Sequence, residues 1–205
     1  MVIGHVMGPV GVVTFSTART VSRSAYQVMQ LINASVWPEM SAAFGRNDMN
    51  LVKSLHRRSC QASIILCLAT IAVVAVFGSS VWKTWTMGRV SADPVLLDLL
   101  LLQMFVASLW FTSSVVAVST NNHQSVARLI LATTVLSLVL SWLLMQVPAL
   151  QVRGVAIALV LGDAIMAAVV MRQSLIIAND TFGGFLASMF TLPNLWPKRK
   201  VPNLQ

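Results

Sequence analysis

Val95 to Val118 reads VLLDLLLLQMFVASLWFTSSVVAV, an apolar run whose single charge is Asp98. As a helix rising 1.5 Å per residue it is long enough to cross a hydrocarbon core of about 30 Å, where a helix satisfies its own backbone. Three further tracts have the same character: Ile64 to Trp82, Leu129 to Val147 and Val155 to Met171. The whole chain agrees with them, being 57% hydrophobic and only 10% charged, with a mean hydropathy of +0.78. The expected class is all-α, a polytopic membrane helical bundle.

A net charge of +8 suits nucleic acid only if the basic residues share a solvated face, and here they lie between the apolar spans, so no nucleic-acid partner is expected. They set topology instead. The segment PEMSAAFGRNDMNLVKSLHRRSCQ, Pro38 to Gln61, reads as the most basic loop, and the positive-inside rule assigns it to the cytoplasm. Alternation then gathers Arg46, Lys53, Arg57, Arg58, Arg128, Arg172, Lys198, Arg199 and Lys200 inside, against Lys83, Arg89 and Arg153 outside. The expected organisation is a bundle over residues 1–178 with about five spans (10–37, 62–82, 95–119, 128–147 and 154–177), and a basic interfacial tail over 179–205 beside Trp196. Trp82 and Trp85 are expected at the outer interface, and Asp93 is expected to cap a helix that opens with Pro94.

Cys60 and Cys67 stand about 10 Å apart along one helix, too far to bridge, and read as packing residues. His5, His56 and His123 are scattered through expected loops or ends. No metal-ligand cluster, phosphate loop or set of nucleophile, base and orienter is visible; neither an enzyme nor a cofactor is expected.

The first span, FSTARTVSRSAYQVMQLINASVW over Phe15 to Trp37, is more polar than the others. Arg19, Arg23, Tyr26, Gln30 and Asn33 recur every three or four residues and share one face, which suits a water-filled path or a bundle interior. Snorkelling to the headgroups is the competing reading; it is open to Arg19, roughly 14 Å along the axis from Val10, more than to Arg23, roughly 20 Å in. Asp163 falls mid-span, where a carboxylate is costly unless protonated or partnered; ion coupling, pairing with an arginine, or a hydrogen bond to a neighbouring helix would each retain it. Asp98 reads as a helix-start acid or a second ion-pair group. Gln103, Ser108 and Thr112 continue a weak polar face below it, and Ala156, Ala158, Gly162 and Ala167 read as helix-packing residues.

Gly8-Pro9, the two arginines, Pro38 with Ser41, Asp48, and Arg57-Arg58 together form a pattern that resembles the second half of polysaccharide flippases of the O-antigen and teichoic-acid type, in the multidrug/oligosaccharidyl-lipid/polysaccharide exporter superfamily. WTMG after the second span and VRGVAIALVLGDAIMAAVVMRQ in the last are also similar, so the likeness runs from Gly4 to Gln173. It implies a polyprenyl-pyrophosphate-linked oligosaccharide as substrate, flipped across the cytoplasmic (inner) membrane for surface polysaccharide or lipopolysaccharide biosynthesis. Membrane lipids and a missing N-terminal lobe are the implied partners, this chain being one lobe, less its first helix, of a two-lobe transporter. Arg19, Arg23, Tyr26 and Gln30 would bind substrate; Asp163 and Asp98 would serve as coupling or ion-pair groups. A drug/cation antiporter lobe, a non-transporting remnant and an interaction subunit are the rival expectations, and the basic polar helix speaks against the cation exporter.

The charge asymmetry makes orientation testable. In intact cells, a cysteine placed at Asn47 is expected to resist an impermeant thiol reagent and one placed at Ser91 to react; the reverse pattern would invert the topology.

Overall fold

Segments that must bond their own backbone in lipid become helices. The computed structural model describes residues 2–88 and 93–191 and places there α1 (Val2–Ser22), α2 (Ser24–Gly45), α3 (Met49–Thr86), α4 (Pro94–Ser119), α5 (His123–Met145), α6 (Val152–Ile177) and α7 (Phe182–Met189), with no strand among the described residues. Four stretches are long and apolar enough to cross a membrane: Met49–Gly78, Pro94–Ser119, His123–Met145 and Gln151–Ile177. The chain is an all-α polytopic membrane bundle. Arg89, Ser91, Trp196 and Lys198 to Lys200 lie outside the described residues.

Two expectations about the first half need correction. The expected span over 10–37 is a pair of helices, α1 and α2, broken at Arg23, whose ψ of 6° departs from the helical value. The cause is local: Thr20 Oγ1 donates to the Ser16 carbonyl at 2.8 Å and Ser22 Oγ to the Arg19 carbonyl at 3.1 Å, so hydroxyls compete for acceptors in the turn that breaks. The expected basic loop is also mostly helix. α2 runs on through Pro38, where the lost hydrogen bond falls on an exposed face, and α3 begins at Met49, well before the expected 62. At 38 residues α3 is about 57 Å long. His56, expected near a loop, is therefore inside a helix and fully buried.

Asparagine ends three of the helices that arrive at this basic end. Asn47, Asn121 and Asn179 adopt φ of 58°, 59° and 50°, which Asn tolerates. The amide after each closes the turn: Asp48 N to Ala43 O, Asn122 N to Ala117 O, and Asp180 N to Leu175 O. Asp48 then caps α3 through Leu51 N at 3.0 Å, and Asp93 caps α4 through Leu96 N at 3.2 Å.

α4 is the central helix. It runs parallel to α6, Asp93 meeting Arg153, Gln103 meeting Asp163, and Ser174 Oγ donating to the Ser113 carbonyl at 2.7 Å. α3 runs antiparallel to it, held by Thr112 Oγ1 to Ser63 Oγ at 2.7 Å and by His56 Nε2 and Ser113 Oγ at 2.7 Å. α1 and α2 run parallel to α4: Phe15 shares a core cluster with Leu96 and Leu100, Met29 with Met104, and Met40 with Val115 and Val116. Trp82, expected at an interface, is buried in the first of these clusters. Apolar side chains gain little by leaving lipid, so close approach and interhelical hydrogen bonds carry much of this packing.

α5 packs against α6 through small residues. Gly154, Ala158 and Gly162, spaced by four on α6, face Leu144 and Ser137, and Ser137 Oγ donates to the Ala158 carbonyl at 3.3 Å. A Cβ on Gly154 would stand 3.0 Å from the Leu144 carbonyl carbon, so the backbones approach closely only because none is there.

The chain after α6 folds back onto α3. Asp180 takes a bidentate bond from Arg57 (Nε to Oδ2 2.7 Å, Nη2 to Oδ1 2.6 Å), Thr181 caps α7 through Gly184 N, and Phe185 stacks on His56 with ring centroids 5.2 Å apart. Gln61 Nε2 fastens the far end of α7, donating to the Thr191 carbonyl at 2.6 Å. Burial pushes the Asp180 carboxyl up, but the bonds and charge of Arg57 and the Thr181 amide outweigh it and hold it below the usual carboxylate range. A depressed carboxyl stabilises the fold above its unfolded value and loses that contribution as pH falls through its folded value. The melting temperature of Asp180→Asn in detergent is therefore expected to lie below the parent's by a constant amount from pH 7 to 5, and the gap to narrow below pH ~4. A gap that widens on acidification would contradict the ion pair.

Candidate functional site

A cavity of about 410 Å³ opens between α1, α5 and α6, with Trp110 of α4 reaching into it. Its wall on α5 is a ladder of hydroxyls at helical spacing, Thr133, Ser137 and Ser141; α6 contributes Gly162, Asp163 and Met166; α1 contributes Phe15 and Arg19. Gly162 keeps this space open beside Ser137, whose hydroxyl a Cβ there would strike.

Asp163 is half-buried at the level where α4 and α6 meet. One oxygen accepts from Trp110 Nε1 at 2.9 Å and the other from Gln103 Nε2. No cation lies within salt-bridge distance of it among the described residues. Hydrogen bonding to a neighbouring helix, one of the three readings of the sequence, is what the geometry displays. Arg19 faces the same cavity without touching the carboxylate, so a cation and an anion look onto one space.

Arg19 also borders a second, wider depression of about 750 Å³, shared with Thr20, Arg23 and Gln27 and backed by Val74 and Val81 of α3. The Arg19 guanidinium lies 5.8 Å from the Phe15 ring centroid, and that of Arg23 lies 4.8 Å from the Tyr26 ring. Aromatic faces steady both cations, and the Arg23 guanidinium also hydrogen-bonds the Tyr26 hydroxyl. Among the described residues neither arginine has a carboxylate within 4 Å, in contrast to Arg57 and Arg153, each of which holds an aspartate in a two-point grip.

The rest of the expected stripe separates. Beyond the turn at Arg23, among the described residues of α2, only Gln27 joins Arg19 at the second depression, and the expected Tyr26, Gln30 and Asn33 do not. Tyr26 packs on Phe111, centroids 4.4 Å apart, and Asn33 Nδ2 donates to the Phe111 carbonyl at 3.3 Å; both pin α2 to α4. Gln30 is exposed and lines neither space. Asp98 is exposed on the first turns of α4 and has no ion-pair partner among the described residues. Of the six expected site residues the structure gathers three, Arg19, Arg23 and Asp163. It adds Trp110 and the α5 hydroxyl ladder, whose spacing of four was visible in the sequence although only the fold shows what it faces.

Comparison with family models, curated proteins and solved structures finds no match to the chain.

A carboxylate held by two neutral donors makes a specific stability prediction. Gln103→Leu withdraws one donor and is expected to destabilise the bundle by about 1–3 kcal/mol, whereas Gln103→Leu with Asp163→Leu and Trp110→Phe removes all three polar partners and recovers most of the loss. Melting in detergent measures this; additive losses in the triple variant would mean that the side chains act independently.

Proposed function

We propose that the chain is the carboxy-terminal lobe of a flippase that moves a lipid-linked oligosaccharide across the cytoplasmic membrane for surface polysaccharide synthesis. The observation that carries this reading is the pair of arginines, one turn apart at a helix break, lining depressions within an apolar bundle with no carboxylate partner among the described residues. An unpaired guanidinium inside a membrane protein is expensive and is retained where an anion visits. A pyrophosphate suits two such forks, each able to bind bidentately.

In this mechanism Arg19 and Arg23 take the pyrophosphate or an acidic sugar, and the hydroxyls of Thr133, Ser137 and Ser141 meet sugar hydroxyls. The break at Arg23 lets α1 tilt on α2, which stays fixed to α4 by Tyr26 and Asn33, so the cavity opens to one side and then the other. Asp163 gives Arg19 an alternative partner when the substrate leaves.

One feature supports a second reading, a drug/cation antiporter lobe: Asp163 and Trp110 line the same cavity, and a carboxylate with an indole in one cavity suits an organic cation. Binding separates the two. With the chain purified in detergent, a short-chain polyprenyl pyrophosphate is expected to bind, and Arg19→Ala and Arg23→Ala each to weaken it about tenfold or more, the scale of one lost charge-assisted contact; Arg23→Lys should be intermediate, keeping charge without the fork. Parental affinity in the double alanine variant would sink the flippase reading. Tetraphenylphosphonium binding that depends on Asp163 and not on the arginines would favour the antiporter.

A further inference from the structure

We propose that a trough on the outer face of α6, away from the arginine cavity, is a binding site for one anionic phospholipid of the leaflet at the basic end. The trough, about 540 Å³, lies between Leu109 of α4 and Phe182 of α7, over Ala167, Ala168 and Leu175 of α6, with Arg172 as its single charged residue. Two alanines in succession hollow the helix surface, and Phe182 raises a wall at the basic end. An acyl chain fits such an apolar channel, and a phosphate fits the guanidinium beside it.

Two observations select a lipid of this charge. Arg172 is exposed and, among the described residues, has no hydrogen bond or carboxylate partner, whereas Arg57 at the same end is bound to Asp180 and Arg128 donates to the Gln124 carbonyl. Its depth is right as well. Arg172 lies about 31 Å along the axis from Gln151, where the apolar stretch of α6 begins, so with Gln151 at one interface the guanidinium stands at the headgroups of the other. Arginine binds phosphate with two parallel N–H bonds, and anionic headgroups concentrate around such cations.

The wall of the site depends on the contacts of α7 described above. Phe182 opens α7, and α7 is held by Asp180 on Arg57 together with Phe185 on His56 and Gln61 at its far end. The site stands whether or not the arginine cavity carries a glycan lipid.

Native mass spectrometry of the purified chain, with dioleoyl phosphatidylglycerol or dioleoyl phosphatidylcholine added at equal concentration, tests it. One phosphatidylglycerol is expected to be retained in preference to phosphatidylcholine. Arg172→Gln should reduce that retention about tenfold, the scale of a lost charge-assisted pair, and Ala168→Trp should reduce it similarly by filling the trough with Arg172 intact. Arg128→Gln, which removes a cation on α5 that does not line the trough, should leave it unchanged. Equal retention of both lipids, or an equal loss in Arg128→Gln, would reduce the effect to bulk electrostatics and overturn the proposal. So would a chain dimer that Ala168→Trp abolishes and phosphatidylglycerol does not compete with, which would give the trough to a second copy.

Discussion

The parallel pairing of α4 with α6 is the constraint from which the remaining architecture follows. It is fixed at three depths: by Arg153 on Asp93 where both helices begin, by Gln103 and Trp110 on Asp163 in the middle, and by Ser174 on the Ser113 carbonyl toward the basic end. In a bilayer such polar contacts fix register where apolar surface alone does not, because lipid tails solvate a slipped helix as well as a seated one. Once that register is set, α5 closes along the small face of α6, α3 lies against α4, and the α1–α2 pair descends along the remaining side of α4.

Charge is distributed by the same logic. Both ion pairs among the described residues join segments distant in sequence: Asp93 caps α4 while holding α6, and Asp180 ends the α6 turn while holding α3. Each aspartate therefore ties a helix end to a second helix with one carboxylate. Gly184 belongs to the second tie, since a Cβ there would come within 2.7 Å of the Arg57 guanidinium. Arg19 and Arg23 stand outside this scheme. They are placed where the helix is broken by hydroxyls competing for its carbonyls, so the least regular turn of the α1–α2 path also carries two cations that hold no carboxylate among the described residues.

Much of the fold was legible in the sequence. The spans of α4, α5 and α6 follow from hydropathy, and their expected limits lie close to the observed helix ends because Asp93-Pro94 and the Asn turns are local signals. The basic segment between the first two spans reads as a loop because Pro38 and a cluster of charges usually end a helix, yet it is mostly helical. Here Arg57 and His56 find partners, Asp180 and Ser113, far along the chain, and those partners make a helix of that polarity tolerable. The stripe on the first span was legible as a period but not as a surface; a single residue with altered ψ divided it.

The sequence by itself determined that this is an all-helical membrane protein, where most helices stop, and that arginines and an aspartate lie deep within it, since composition, period and capping act over a few residues. Tertiary structure alone decided which of those charges are neutralised and which stay free. Nothing along the chain tells Arg57 and Arg153, which hold carboxylates, from Arg19 and Arg23, which do not. What separates them is the presence of a carboxylate within reach across a helix interface, and that distance is set by packing, not by local sequence.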